Sequence, residues 1–349
     1  MATGELFIDT EAVAANWRAL DRMSAAETRT GAVVKADAYG LGAAQIAPRL
    51  ARAGVRDFFV ATADEGLALR RALGGDADGP AIHVFYGHMA GDTEAIGRAG
   101  LIPLLCSAAQ LARHLEALPD HPFGLQLDTG MNRLGLRAED WAAASERALR
   151  AGPRLVMSHL ASADMPESDQ SARQLARFRE MTDGIDAPRS LAATGGTLLG
   201  RDYHFDLTRP GVGLYGGLPF AGAEPVLRLE LPVIDCFDVA AGESVGYGAS
   251  WTAPSPTRIA TVAGGYADGL PRALAPGLEL MAGPVSCPVR GRISMDLITV
   301  DIGHLDADPE TLAVLDPHRT VDTLAEAAGT IGYEMLTSLG RRYRRRYRT

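Results

Sequence analysis

Residues 32–62 read AVVKADAYGLGAAQIAPRLARAGVRDFFVAT, and three textures follow one another within that stretch. The run AVVK is β-rich. The segment AAQIAPRLARAG then places Ala43, Ile46, Ala47 and Leu50 at i, i+3, i+4 and i+7, the spacing of a helix that lays one face on a sheet. The β-rich DFFVAT closes the unit. Further runs of the same kind begin at 81 (AIHVFY), 101 (LIPLLC), 124 (GLQLD), 154 (RLVMSHL), 189 (RSLAAT) and 205 (FDLTRPG), which brings the strands to eight. Segments such as SAAQLARHLEAL and AEDWAAASERALRAG between them repeat the helical period. Strand and helix alternating eight times predict an α/β fold, a (β/α)8 TIM-type barrel over residues 1–224. A doubly wound open sheet competes, but it usually shows fewer units, and no GxxxxGK[ST] phosphate loop is present.

After Pro225 the texture changes. PVLRLELPVIDCFDVAAGESVGYGASW, TRIATVAGGYADG and LELMAGPVSCPVRGRISMDLITVDIG are Val, Ile and Leu runs punctuated by Gly and Pro, without helical period. They predict a mainly β domain over residues 225–349, with one helical stretch, TVDTLAEAAGTIGYEMLTSLG, near its end. The closing RRYRRRYRT reads as a solvated or subunit-edge segment.

The chain has 349 residues and a formal net charge of −9. That balance argues against a nucleic-acid partner, because neutralising phosphates takes a surplus of Lys and Arg. No run of 18 apolar residues occurs, and the start, MATGELFIDTEAVAANW, lacks a basic segment followed by an apolar one. The expectation is a cytoplasmic protein with no membrane partner and a small-molecule substrate. Cys106, Cys236 and Cys287 are far apart and form no CxxC, so they are read as buried thiols rather than a disulfide framework or metal ligands.

Lys35 is the only lysine in the chain; arginine serves at every other cationic position. Arginine can replace lysine as a surface charge, but a guanidinium does not become a neutral nucleophile. The lone lysine is therefore weighted toward chemistry. Barrel chemistry sits at the C-terminal ends of the strands, where the uncommon polar residues fall: Lys35 ends the first, Asp128 and Arg133 follow the fifth, and His159, Thr194 and Arg209 end the sixth, seventh and eighth. A lysine buried in a barrel mouth has a lowered pKa and can form a Schiff base. ATGGTL and RPGVGLYGG offer a hydroxyl and close-approaching backbone N–H groups to a phosphate. Together these imply pyridoxal phosphate or a phosphorylated sugar, as in a class I aldolase, although the aldolase leaves the second domain unexplained.

AVVKADAYGLG, LDTGMNRLG, SHLASAD, HFDLTRPGVGLYG, SVGYGASW, GGYADGLPR, GRISMD and IGYE occur in the order and approximate spacing seen in the alanine racemases, and the chain resembles that family nearly end to end. The resemblance implies pyridoxal 5'-phosphate, an amino-acid substrate, and a homodimer in which each site is completed by the other subunit. It implies that Lys35 is the Schiff-base lysine, that Tyr39, Thr194, Tyr333 and the backbone of Gly211 and Val212 contact the phosphate, that His159 lies beside the pyridine ring, and that Arg209 faces its nitrogen. It implies that Arg133 contacts the phenolic oxygen and the substrate carboxylate. Tyr247 is then the second catalytic base, with Tyr266 and Met295 near the carboxylate, all three from the partner subunit. No metal is implied. Two positions depart from the family pattern: Gln126 stands where many members have a carbamylated lysine beside the arginine, and Ala193 and Thr194 replace an Asn-Ser pair.

Moving a proton between the two faces of Cα is simplest with two bases on opposite sides, the roles implied for Lys35 and Tyr247. The expected activity is interconversion of L- and D-alanine, for peptidoglycan supply or alanine catabolism. A serine or broad-specificity racemase is the nearest alternative, since one methylene or hydroxyl is worth only about 1–3 kcal/mol in an apolar pocket. Related decarboxylases place an acid near the ring nitrogen, where this chain has Arg209. A non-enzymatic pyridoxal-phosphate carrier would lack the second domain.

Overall fold

In the computed structural model, which describes residues 3–76 and 79–348, the stretch 32–62 folds as the strand Ala32–Val33, a left-handed turn, the helix Ala43–Ala53 and the strand Asp57–Val60. Ile46, Ala47 and Leu50 form the buried face of that helix, and burying one leucine side chain contributes roughly 1.5–3 kcal/mol. Gly54, with φ +126, stops the helix and returns its N–H to Leu50 and Ala51. The pattern repeats through the strands Ala81–Val84, Leu101–Leu105, Gly124–Gln126, Val156–Met157 and Arg189–Ser190, all parallel and paired in chain order. The eighth strand, Leu207–Thr208, pairs in parallel with Arg29–Thr30, immediately before the first, and a bridge between Ala193 and Arg209 joins it to the seventh. The ring is thereby closed, and every strand points its C-terminal end to the same mouth. Outside the fourth to seventh strands, Leu105, Leu125, Val156 and Leu191 pack with Leu111, Trp141 and Phe178 of the surrounding helices.

The chain divides into two compact units, the barrel from Val13 to Leu214 with Pro219–Ala223, and a β unit holding Tyr215–Leu218, the residues from Glu224 on and those up to Ala12. The division at 224/225 groups the first strand, Glu5–Asp9, with the barrel; the structure pairs it instead antiparallel with Leu227–Val239 and parallel with Arg344–Arg348. Leu6 and Ile8 explain this, because both are fully buried within that pairing. Met1, Ala2 and Thr349, at the outer limits of the two expected domains, lie outside the described residues.

Leu227–Val239 organises the second unit. It pairs with Thr311–Leu315 and, past a register shift between Val233 and Asp235, with Thr257–Ala263, which in turn pairs with Leu297–Asp301. The single helical stretch expected near the end is two helices, Val321–Ala328 and Gly332–Ser338, parted where Gly329 takes φ +70. The basic tail is an edge strand, with Arg346 against Glu5 at 3.2 Å and Arg348 against Asp9 at 3.6 Å. Among the described residues no helix is long and apolar enough to cross a membrane.

Candidate active site

Lys35 leaves the first strand at the barrel mouth. The expectation of a buried lysine is corrected: its side chain is exposed there, with Nζ 5.8 Å from the centre of the Phe85 ring. The amine makes no hydrogen bond or ion pair among the described residues. The protein crowded around it still disfavours charge, and the pKa is lowered by desolvation first and by Arg133 second, with Glu65 acting in the opposite direction.

The backbone just beyond Lys35 is unusual. Ala36, Asp37, Ala38 and Tyr39 all have φ between +52 and +56 before Gly40 at +83, one turn of left-handed helix at about 1–2 kcal/mol per residue. Such conformations persist only where the surroundings impose them. Here Asp37 Oδ1 accepts from Ala43 N at 2.7 Å, and Gly40 and Gly42 donate to Ala36 and Asp37 carbonyls at 2.7 and 2.8 Å. Glu65, from the helix Ala63–Ala72, accepts Ala36 N at 2.8 Å and Ala61 N at 2.7 Å.

Lys35, Arg133, His159, Gln126 and Glu65 all line one cavity of about 720 Å³ in the mouth. Arg133 rides on a loop whose backbone is fixed by Asp128, with Oδ1 accepting from Gly130, Met131 and Asn132 at 2.9–3.1 Å. Gln126 Nε2 donates to the Leu134 carbonyl at 3.2 Å. The guanidinium of Arg133 itself is exposed and has no hydrogen bond or ion pair among the described residues. Gln126 therefore fixes backbone beside Arg133 rather than the guanidinium. His159 is half-buried and held through its carbonyl by Gln174 Nε2 at 2.9 Å. Desolvation, then the charges of Arg209, Arg133 and Lys35, push its pKa down to about 3, so the ring is neutral in ordinary buffers.

A second group gathers where the seventh and eighth strands end. Thr194, first in the short helix Thr194–Leu198, accepts through Oγ1 from Gly211 N at 3.0 Å and Gly213 N at 3.3 Å. The left-handed turn delivers Tyr39 to the same place. A Cβ on Gly211 would lie 2.4 Å from the Tyr39 hydroxyl, and one on Gly213 would lie 2.7 Å from Thr194 Cγ2. Glycine is thus required at both positions by close approach. Val212 follows as a buried residue. Gly211, Gly213 and Gly216 also have GxGxxG spacing, but they lead into the 3-10 turn Val212–Tyr215 after the last barrel strand, without the crossover helix of a dinucleotide fold.

Arg209 is 1 % exposed and donates to Ser190 Oγ, the Ser158 carbonyl at 2.7 Å and the Leu191 carbonyl at 3.3 Å. All three acceptors are neutral. Burial lowers its pKa to about 9, still charged at neutral pH.

Tyr247, Tyr266, Met295 and Tyr333 belong to the β unit. Tyr247 stands 72 % exposed on a turn after the strand Ser244–Val245. Tyr266 and Met295 are exposed neighbours, since Tyr266 N and Ala267 N donate to the Ser294 and Met295 carbonyls at 3.1 and 3.0 Å. Their loop is braced by Arg342, which grips both Asp268 oxygens at 2.7 Å. Tyr333 is an exposed residue of the helix Gly332–Ser338. Cys106 and Cys287 are buried, while Cys236 is only half-buried, a departure from the expected burial of all three. Among the described residues no group of three or more His, Cys, Asp or Glu side chains is placed to hold a metal ion.

The sequence reading missed Glu65, Gln110 and Gln174. The first two were detectable, because TADE at 62–65 and SAAQ at 107–110 carry the S/T-x-x-E/Q signature of a helix start. Thr62 and Ser107 do cap their helices, accepting from Glu65 N and Gln110 N at 3.2 Å. Gln174 shows the same spacing in SARQ at 171–174, but inside the helix Asp169–Thr182 rather than at its start; its amide accepts from Ala161 N at 2.8 Å and donates to Thr129 Oγ1 at 3.2 Å.

Comparison with known proteins gives a consistent result. Residues 8–219 match the family model described as alanine racemase, N-terminal domain, and residues 226–347 match alanine racemase, C-terminal domain. The chain is 63 % identical to an alanine racemase of Dinoroseobacter shibae over 99 % of both chains. It is 42 % identical to one of Rhizobium meliloti over 99 % of this chain and 97 % of the relative. Among solved structures it is similar to the alanine racemase of Bartonella henselae with covalently bound pyridoxal phosphate, with TM-score 0.93, 35 % identity and full coverage of both chains. The biosynthetic alanine racemase of Pseudomonas aeruginosa superposes with TM-score 0.91 at 34 % identity, also over the whole of both chains.

Proposed function

The chain belongs to the alanine racemase family, and from that membership we propose that it interconverts L- and D-alanine with pyridoxal 5'-phosphate held at Lys35. The observation that carries the reading is the chain's one lysine, its amine unpartnered, sharing a cavity with an unpartnered Arg133 and a neutral His159.

The residues present fit that cofactor. An amine of lowered pKa is available for the covalent link. Thr194, Tyr39 and the backbone of Gly211 and Val212 form a close-packed cradle suited to the phosphate, its glycines excluding any side chain that would fill it. When bound, pyridoxal phosphate supplies an electron sink that acidifies the hydrogen on the substrate Cα.

The chain's own residues supply the rest. Arg133, with no carboxylate of its own, is free to take the substrate carboxylate. Lys35 Nζ moves the Cα proton of the D enantiomer, and Tyr247 Oη, contributed by the partner subunit of a homodimer, moves that of the L enantiomer. The exposure of Tyr247, Tyr266 and Met295 supports a role completed by a second copy. Arg209 presents only donors, backed by neutral acceptors. With pyridoxal phosphate bound, Arg209 could accept no proton from the ring and would leave the ring nitrogen neutral, which would favour proton return over transamination. Tyr333 is assigned to the phosphate, and the enzyme to the cytoplasm, in peptidoglycan supply or alanine catabolism.

Two measurements test the reading. Borohydride reduction of the holoprotein should fix the cofactor at Lys35 alone, and label elsewhere would break the assignment. Solvent deuterium should enter Cα of both alanine enantiomers; exchange confined to serine or bulky amino acids would overturn the substrate.

A further inference from the structure

Glu65 and Gln110 occupy the same place in two successive versions of one device. Each is the third residue of its helix, behind a hydroxyl cap, and each reaches back to two neighbouring strand ends. Gln110 Oε1 accepts Cys106 N at 3.1 Å beyond its own strand, and Nε2 donates to the Tyr86 carbonyl at 2.9 Å beyond the neighbouring strand. One acceptor and one donor are what an amide offers. Glu65 meets a different pair: Ala61 N beyond its own strand and Ala36 N beyond the first strand, both donors. Its two carboxylate oxygens take one N–H each, Oε1 from Ala36 and Oε2 from Ala61, whereas a glutamine in the same pose would turn its NH2 toward one of those donors. The negative charge follows from the turn that was built, because the left-handed backbone after Lys35 points Ala36 N, not a carbonyl, at the helix.

That charge then faces the lysine. Glu65 and Lys35 line the same cavity, whose other ionisable linings include Arg133, His159 and Cys106. Arg133 opposes charge on the amine and His159 is neutral, and burial raises the Cys106 pKa, so Glu65 is the anion left among these groups to favour the ammonium form. Glu65 forms no ion pair with an arginine among the described residues that would spend this influence elsewhere.

We propose that Glu65 is a positioning residue with two linked tasks: it clamps the left-handed turn that follows Lys35 and carries Tyr39, and it holds a carboxylate in the cavity that receives the Lys35 amine. The inference rests on the role proposed for Lys35.

The lone lysine makes the test direct. In the full-length chain stripped of cofactor with hydroxylamine, acetic anhydride labelling of Lys35 is followed against pH by mass spectrometry, with the α-amino group as internal standard. Glu65→Gln should move the labelling midpoint to lower pH, making Lys35 react roughly three- to tenfold faster below the midpoint, since one pKa unit is a factor of ten. Glu65→Asp keeps the charge and should leave the midpoint near that of the unaltered chain, while kcat falls because the shorter acid cannot span both N–H groups. In the loaded enzyme, Glu65→Gln should shift the acidic limb of kcat/KM for alanine by the same amount in both directions, because the two enantiomers have equal free energy. A folded Glu65→Gln with an unmoved midpoint overturns the proposal, and so does a Glu65→Asp midpoint that falls. Because labelling reads the amine without cofactor or turnover, loss of the racemase reading alone would leave its result intact.

Discussion

The eighth barrel strand runs beside the segment that leads into the first, and the cations at the ends of these two strands are held in opposite ways. Lys35 sits exposed on a strained left-handed turn, its amine without a partner. Arg209 is sealed in, with three neutral acceptors around one guanidinium. A group that must gain and lose a proton lies within the influence of a cation, Arg133, and an anion, Glu65, that act on it in opposite directions. A group that must never change charge is buried among oxygens that only a permanent donor satisfies. The residue types follow from this division, and an Arg/Lys exchange at either end should fail for different reasons.

Lys35→Arg should have the largest effect. It removes both the covalent link and one base, and racemisation should fall by about 10⁴-fold or more in a folded protein, measured by circular dichroism of alanine turnover. Arg209→Glu comes next, with loss on the order of 10²-fold and the appearance of pyruvate from transamination. A loss of activity without pyruvate would break the idea that the donor-only side chain selects the reaction. Gln174→Leu tests support rather than chemistry: Ala161 N and the His159 carbonyl lose their partner, and stability should drop by about 1–3 kcal/mol in urea. A pH dependence, small near neutrality, completes the series. His159 has a folded pKa near 3 against about 6.5 unfolded, so the unfolded chain binds the extra proton. Stability through this residue is retained above about pH 6.5 and lost as pH falls toward 3. A proton NMR titration of the His159 ring should show no inflection above pH 5, and one near 6.5 would contradict its cationic surroundings.

The barrel was legible because its signal is periodic. Eight β-rich runs separated by helical spacing leave few architectures, and the strand ends located Lys35, Arg133, His159, Thr194 and Arg209 without any side-chain geometry. The seat of the first strand was not legible, since ELFID pairs with residues more than two hundred positions away and nothing local distinguishes it from a barrel strand. The left-handed turn was hidden for a related reason. Of ADAY only Asp37 belongs to a type that favours positive φ, and the turn is held by Glu65 from outside and by the Asp37 carboxylate from within. The exposure of Lys35 was misjudged because a strand end suggests burial, whereas the turn lifts the side chain into the mouth.

The pairing of Glu5–Asp9 with both Leu227–Val239 and Arg344–Arg348 bears on how the molecule comes into being. Synthesis proceeds from the amino terminus, and domains tend to fold as they emerge. Glu5–Asp9 is made before the barrel and has no partner until the barrel has been translated, and its second neighbour, Arg344–Arg348, comes later still. The barrel, whose strands pair only with sequence neighbours until the eighth meets the first, can form while its leading segment waits as an apolar, unpaired edge. That waiting strand is the part of the nascent chain most exposed to wrong pairing, and Glu5 and Asp9 at its two ends keep it charged until the arginines arrive.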